Sequence, residues 1–212
     1  VLDREAFPRV KLCAGWITPD VFQDLGVDPS SYPPGLTELA GLHLSVRGLS
    51  LRLPSRQMAI RRVEFDQWLL ERADVPVRVH HVREIRARQG GYVLDGEIEA
   101  EYVVGAGGTH CPVARSLFRD VNPRSANALI VTLEEEFAYA VQEHPRARTC
   151  HLWFFEDGLP GYAWYVPKRD GYVNVGVGAK AATLQARGDS IRYHWEKLTL
   201  RLRDLGLVLD YD

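Results

Sequence analysis

The sequence contains little cysteine, no long apolar run and no excess of charge of either sign. Three of its 212 residues are cysteines, and Cys13, Cys111 and Cys150 are too widely spaced for a disulfide framework. A few cysteines without a disulfide framework are typical of a reducing compartment. We therefore expect a cytoplasmic protein. The net charge of −2 gives no electrostatic reason to bind nucleic acid. No apolar run approaches the roughly 20 residues that span a bilayer.

Metal-ligand spacing is missing as well. The sequence has no Cys-x-x-Cys pair and no His-Glu-x-x-His helix, and its only adjacent histidines are His80 and His81. Neighbours on a strand point to opposite faces, so these two do not predict a shared metal site. What is present is ordinary: 46% hydrophobic and 25% charged residues, typical of a globular protein with one large domain or two small ones.

The order of predicted elements indicates a mixed α/β (α+β) fold. Strands are predicted near 42–60 and 77–104, with a helix at 61–73 between them, where Phe65 recurs with later apolar residues at helical spacing. After about residue 124, long β-branched and aromatic segments joined by turns predict an antiparallel sheet, closed by a helix near 184–205. We therefore predict one domain at 1–122, with inserted strands near 42–60, and a second at 123–212.

Four motifs could carry chemistry, and each has a purely structural alternative. Val1-Leu2-Asp3-Arg4 reads as the end of a buried strand followed by an acid, which can bind ribose hydroxyls or be an ordinary strand end. Val103-Val104-Gly105-Ala106-Gly107-Gly108 reads as a strand entering a turn that admits either a nucleotide or a tightly packed helix.

The other two motifs lie on a helix and a hairpin. Arg61 and Arg62 begin the helix at 61–73, where cations oppose the helix dipole; either an anionic ligand or ion pairs with Glu64 and Asp66 would explain them. The stretch Pro160-Gly161-Tyr162-Ala163-Trp164-Tyr165-Val166-Pro167 forms a hairpin with the strand that follows, and puts Tyr162, Trp164 and Val166 on one face. That face is either sheet core or an aromatic wall against a flat or apolar ligand.

The order of these motifs resembles the geranylgeranyl reductase family, a group of FAD-dependent oxidoreductases within the flavoproteins shaped like p-hydroxybenzoate hydroxylase. The matching order is an acid after a strand, Lys-Leu-Cys-Ala-Gly-Trp, Arg-x-x-Phe-Asp, the glycine turn and the Pro-Gly-Tyr-x-Trp hairpin. The resemblance implies part of a Rossmann-like FAD-binding domain at 1–122 and, at 123–212, an antiparallel-sheet substrate domain whose sheet covers the substrate cavity.

The resemblance also assigns roles to single residues. The residues it implies for binding FAD are Asp3, Arg4, Lys11, Cys13, Ala14, Gly15, Arg62, Val82, Ala106 and Gly107. The residues it implies for the substrate cavity are Trp16, Pro160, Tyr162, Trp164 and Pro167. Three of these positions depart from the family pattern: Gly107 replaces an Asp, and Ala14 and Trp16 replace glycines. In the hairpin, Val166 replaces a Phe.

The reaction implied by the resemblance is the reduction of carbon–carbon double bonds in an apolar, isoprenoid-like substrate by hydride from flavin N5. An electron donor such as NAD(P)H or ferredoxin is implied too, and so is membrane contact without an anchor. An acid must supply a proton, and the sequence names none, with Cys13 a candidate by position alone.

Two alternatives stay open at this point. The same architecture supports flavin-dependent aromatic hydroxylases or monooxygenases and halogenases, which use O₂. The chain could also be a non-catalytic truncated fragment, since the Gly-x-Gly-x-x-Gly turn expected before Val1 and the Gly-Asp segment expected after Asp212 are not in it. We expect residues 1–212 alone not to hold FAD tightly, which an oxidised-flavin spectrum of the purified chain would contradict.

Overall fold

The computed structural model describes residues 1–123, 125–139 and 148–209. These form two compact units, the first made of residues 1–9 and 69–126 and the second of residues 10–68 and 127–212. Residues 10–68 thus pack with the second half of the chain. These units are defined by packing alone. The predicted division at 122/123 is one of function, between a cofactor-binding and a substrate domain, and it stays a prediction.

The first unit contains two small sheets and a short helix. Its elements are β1 (Leu2–Asp3), β7 (Arg78–Val79), β8 (Ile85–Arg88), β9 (Gly91–Leu94), β10 (Ile98–Ala100) and α3 (Pro112–Leu117). Strands β1 and β7 are parallel, while β8, β9 and β10 form an antiparallel meander. The core of this unit packs Ile85 and Leu94 against Cys111 and Val113. The parallel pair places Asp3 at the carboxyl end of β1, as the sequence predicts.

The strand predicted to continue to residue 104 ends earlier. β10 stops at Ala100, and Val104 is 89% exposed. A strand requires a neighbour to accept and donate its backbone hydrogen bonds, and an apolar sequence alone does not supply one. The glycine turn therefore follows an irregular segment instead of a strand.

The second unit contains a six-stranded sheet and a small three-stranded sheet. The strands of the large sheet are β4 (Leu42–Val46), β5 (Leu49–Leu53), β11 (Ile130–Ala138), β12 (Cys150–Phe154), β13 (Gly161–Pro167) and β14 (Tyr172–Lys180). The strands of the small sheet are β2 (Trp16–Ile17), β3 (Thr37–Glu38) and β6 (Met58–Ala59). Its helices are α1 (Asp20–Asp24), α4 (Ala181–Ala186) and α5 (Ile191–Asp204). Helix α2 (Arg62–Ala73) runs from the second unit into the first, in agreement with the predicted helix at 61–73.

The large sheet has the order β11-β14-β13-β12-β4-β5. The predicted antiparallel sheet is confirmed, because β11, β14, β13 and β12 pair antiparallel throughout. What the sequence did not predict is that β4 and β5 extend this sheet, with β4 parallel to β12 and Leu42 opposite Cys150. Neither local turns nor periodicity could indicate a pairing between strands about a hundred residues apart.

Two short helices cover one face of the sheet. Leu198 and Leu202 of α5 are buried against Val175 and Val177 of β14, the latter pair with no exposed surface. Each fully buried valine or leucine contributes roughly 1.5–3 kcal/mol. The single helix predicted at 184–205 is two helices, because Gly188 between them has φ of +62°. The opposite face of the sheet carries the candidate site.

Candidate functional site

Asp3, the acid predicted to bind ribose hydroxyls, lies in the first unit. Its carboxylate accepts hydrogen bonds from Arg9 Nε at 3.3 Å, from Arg9 Nη2 at 3.1 Å and from the backbone N–H of Glu5 at 3.0 Å. Arg4, its predicted companion, is instead an exposed neighbour of Glu5 at 3.6 Å. Carboxylate oxygens accept more than one hydrogen bond each, so the partly exposed Asp3 retains capacity to bind hydroxyl groups.

The glycine turn of the first unit lies in the loop before α3. Ala106 and Gly107 are exposed there, and Val82 packs against the small apolar core. The tightest contact belongs to Gly105, where a Cβ would lie 2.8 Å from Val113 Cβ and 2.9 Å from Cys111 Sγ. The absence of a side chain at Gly105 thus lets the loop pack on α3, which is the structural alternative for that residue.

In the second unit, two predicted residues separated by 49 positions come together. Arg62 donates to both carboxylate oxygens of Asp66, at 2.7 and 2.9 Å, and its guanidinium also interacts electrostatically with Cys13. The Asp66 hydrogen bonds, with a smaller contribution from Cys13, hold the pKa of Arg62 above its ordinary value. Cys13 Sγ in turn lies 3.5 Å from the backbone N–H of Gly15. The predicted pair between Arg62 and Asp66 is confirmed.

Gly15 is required by its protein neighbours. Its φ is +66°, and a Cβ there would lie 2.0 Å from Ile60 O and 2.7 Å from Lys168 Nζ. Ala14 and Trp16 flank it and pack on the apolar cluster that contains Trp164. Trp16 Nε1 also donates to Gln57 Oε1 at 3.1 Å, which fixes the added indole. Lys11, earlier in this loop, is exposed.

The predicted aromatic face of the hairpin is confirmed by the register of β13 and β14. Tyr162 and Trp164 lie opposite Gly178 and Gly176, so the indole spreads over glycine. A Cβ on Gly176 would lie 2.1 Å from Trp164 Cζ2. The Trp164 Nε1–H donates to Asn174 Oδ1 at 2.7 Å in a buried environment.

The aromatic face continues onto β12. The rings of Phe154 and Tyr162 stack with centroids 5.3 Å apart, and those of Tyr162 and Trp164 are 5.5 Å apart. We call Phe154, Tyr162 and Trp164 the aromatic row. Pro160 precedes β13, whereas Pro167 pairs with Val173 at a register position on the other, helix-covered face. The structure therefore brings together Trp16, Tyr162 and Trp164 of the predicted cavity residues and not Pro167.

A charged cluster that the sequence did not predict lies on the sheet face that carries the aromatic row. The fully buried ammonium of Lys168 forms an ion pair with Glu136, which also accepts from Arg61 Nε at 2.9 Å. Arg61 reaches Glu64 at 3.0 Å, so the predicted helix-start pair exists there too. Burial lowers the pKa of Lys168, and the ion pair with Glu136 opposes that shift.

Glu134 completes this cluster. Its Oε1 is buried without a hydrogen-bond partner, and burial raises the pKa of its carboxyl. The available signal was the spacing of Glu134 and Glu136 along Ile130–Ala138, since residues two apart share a face of a strand. Carboxylates on a sheet face that otherwise carries aromatic and apolar groups indicate a functional role.

Within 1–123, 125–139 and 148–209, no group of three or more His, Cys, Asp or Glu could hold a metal ion. No helix in those same ranges is both long and apolar enough to cross a bilayer.

The sequence is similar to two curated reductases. It is 28% identical to menaquinone reductase of Mycobacterium tuberculosis, over 84% of this chain and 48% of that protein. It is 26% identical to digeranylgeranylglycerophospholipid reductase 1 of Methanopyrus kandleri, over 86% of this chain and 51% of that protein. The chain thus spans about half the length of the curated relatives it matches. No protein-family model matches it.

The fold is similar to that of two solved structures. A geranylgeranyl bacteriochlorophyll reductase-like protein from Thermoplasma acidophilum matches with a TM-score of 0.72 at 17% identity, over 93% of this chain and 54% of that one. The flavin-dependent halogenase CmlS matches with a TM-score of 0.65 at 19% identity, over 96% and 42% of the two chains. These comparisons confirm the mixed α/β fold and the resemblance indicated by the motif order.

Proposed function

From this resemblance to the geranylgeranyl reductase family of FAD-dependent oxidoreductases, we propose that the protein reduces carbon–carbon double bonds of an apolar, isoprenoid-like substrate. The observation that carries the proposal is the aromatic row, which lies on the sheet face opposite the helices and beside the loop at Cys13 and Gly15. The sequence similarity to two named reductases supports the reaction class.

The residues of each unit are compatible with FAD. In the first unit, the carboxylate of Asp3 at the end of a parallel strand has free acceptor capacity, and the loop at Ala106 and Gly107 is exposed. In the second unit, the guanidinium of Arg62 interacts electrostatically with Cys13. We propose that each of these two sets of residues, taken by itself, binds part of FAD, which when bound supplies hydride from its reduced ring system.

The aromatic row suits an apolar chain for two physical reasons. Burial of an isoprenoid chain against it gains about 25 cal/mol per Å² of apolar surface removed from water. The ring of Tyr162, which is 41% exposed, also attracts positive charge, so it favours a double bond that develops cationic character as it is protonated. Exclusion of water from this face strengthens both effects.

We propose that the substrate carries a polyprenyl chain, because one relative is named for menaquinone and the other for a digeranylgeranyl lipid. An electron donor such as NAD(P)H or ferredoxin is part of the same proposal, since the flavin must be reduced again after each turnover.

Contact with a membrane surface is also proposed, and the β4–β5 hairpin is its candidate. Three leucines of β5 share the face of the aromatic row and are exposed by 81%, 57% and 38% in chain order: Leu49, Leu51 and Leu53. Three arginines of this stretch are also exposed: Arg47, Arg52 and Arg56. Residues 39–63 contain no acidic residue. An apolar edge flanked by arginines fits an anionic bilayer surface.

The test is product analysis with the full-length gene product and reduced FAD, using menaquinone or digeranylgeranylglycerophospholipid without O₂. We expect the product to gain two hydrogen atoms per reduced double bond, measured by mass spectrometry. The halogenase-like fold keeps an O₂-dependent reaction as the second candidate. A product that forms only in air, and gains oxygen or halogen instead of hydrogen, would replace the proposal with that candidate.

A further inference from the structure

Glu134 lies at one end of the aromatic row. It is opposite Gly176 on β14, and Gly176 is opposite Trp164 on β13, so these three residues form one line across the sheet. A Cβ on Gly176 would lie 2.1 Å from Trp164 Cζ2 and 2.8 Å from Glu134 Cβ. The Glu134 side chain and the indole are therefore neighbours above the glycine, and the carboxyl group adjoins the surface proposed to bind the substrate.

The charges around Glu134 are already paired among themselves. Lys168 and Arg61 share Glu136, and Arg61 also pairs with Glu64, so two cations face two carboxylates. Glu134 is the surplus carboxyl of this group. Its buried Oε1 has no hydrogen-bond donor to stabilise a negative charge. Burial raises the pKa of Glu134 and outweighs the attraction of Lys168, while the nearby Glu136 raises the pKa further, so the protonated form is favoured more than in an ordinary glutamate.

The other titratable groups near Glu134 are less suited to donate a proton. Glu136 is held by Lys168 and Arg61, and Lys168 is held by Glu136. Burial raises the pKa of the Tyr162 hydroxyl, which makes a weak acid weaker. Cys13 is engaged by Arg62 and by the backbone N–H of Gly15. Glu134 is thus the carboxyl of this face that combines a raised pKa with a position beside the aromatic row.

We propose that Glu134 is the acid that protonates the substrate double bond, an assignment that rests on the proposed function. The Glu134 O–H bond breaks, and the double-bond electron pair forms a new C–H bond to that proton. The other carbon, now electron-deficient, accepts hydride from the reduced flavin, which is thereby oxidised by two electrons. The Glu134 carboxylate recovers its proton from solvent. The aromatic row stabilises the developing positive charge between these two transfers.

The test compares Glu134→Gln with Glu135→Gln in the full-length gene product with FAD. Glutamine keeps the size of the side chain but cannot donate an acidic proton, and Glu135 is the exposed neighbour on the opposite face of the same strand. We expect Glu134→Gln to lower kcat by about 10²- to 10⁴-fold with little change in KM. Glu135→Gln should retain wild-type kcat, and Glu134→Asp should restore part of the activity.

Two pH measurements separate a proton donor from a structural residue. Wild-type kcat should fall as pH rises through the pKa of Glu134, at a higher pH than an ordinary glutamate would give, and Glu134→Gln should lack this limb. Infrared titration of the protein without substrate should show a protonated carboxyl at a pH where ordinary glutamates are ionised. That band should disappear in Glu134→Gln.

The outcomes distinguish this inference from the proposed function. A wild-type enzyme that reduces double bonds while Glu134→Gln is equally active, or lacks the infrared band, contradicts only the assignment of Glu134. A wild-type enzyme with bound FAD that reduces no double bond overturns the proposed function, and the assignment with it.

Discussion

Gly176 determines where the Trp164 indole lies. The ring occupies the space that a Cβ at Gly176 would need, and its Nε1–H is fixed by the buried Asn174. Both β13 and β14 are buried along most of their length, so the indole has little room to move aside. The absence of a side chain at Gly176 thus makes room for the Trp164 indole.

Gly176→Ala tests this arrangement. The added methyl group must displace the indole or the strand, and we expect a loss of about 1–3 kcal/mol of unfolding free energy, the usual cost of overpacking. Urea unfolding followed by tryptophan fluorescence measures it. Gly178→Ala is the matched control, since a Cβ there would lie 3.2 Å from the nearest heavy atom, a Thr132 methyl carbon. Equal losses for the two variants would contradict the role given to Gly176.

Residue types and motif order predicted many of the individual residues of the candidate site. The alternation of Tyr162 and Trp164 predicted their shared face, and the register confirms it. Contacts between distant segments were beyond such reasoning. The interaction between Cys13 and Arg62 depends on how the loop and α2 pack. Spacing could place Glu134 and Glu136 on one face of their strand, but it could not show that Glu134 is partly buried.

The β4–β5 hairpin is the element that links the sheet to a proposed membrane contact. Its exposed leucines continue the face of the aromatic row outward to the sheet edge, since Leu44 pairs with Leu51 and lies beside Leu152 of β12. Exposed apolar edge strands are uncommon in proteins because they invite aggregation. A bilayer surface, to which the nearby arginines would also be attracted, is the occupant we propose.

Leu51→Ser tests the hairpin in the full-length gene product. Loss of a partly buried leucine at the bilayer should weaken binding to vesicles that contain anionic lipid by roughly 10-fold. Co-sedimentation with vesicles measures this, with purely zwitterionic vesicles as a comparison. Leu200→Ser on α5 is the control, because the two leucines are exposed by similar fractions, 57% and 55%. Equal weakening in both variants, or none in either, would rule out the hairpin as the contact.

The elements were predicted with mixed success, for reasons that differ between them. Helix α2 and strands β13 and β14 lie where periodicity and the hairpin turn predict them, because those signals are local. The parallel pairing of β4 with β12 was missed, since strand partners far apart in sequence are chosen by the tertiary fold.

At the scale of the whole molecule, sequence and fold agree on the kind of protein. The motif order predicted a flavoprotein of the geranylgeranyl reductase type, and both the curated relatives and the solved structures are consistent with it. Composition alone predicted only a globular protein, and the order of predicted elements added the mixed α/β fold. The chain is also similar in fold to a halogenase, so the fold does not decide between reduction of a double bond and an O₂-dependent reaction.

A single-turnover experiment distinguishes these two reactions most directly. The full-length gene product with FAD is reduced without O₂ and mixed with an excess of menaquinone, and flavin absorbance and product mass are followed together. We expect the flavin to be reoxidised as fast as one double bond gains two hydrogen atoms. Reoxidation that occurs only after O₂ is admitted, with no hydrogenated product, would contradict the account.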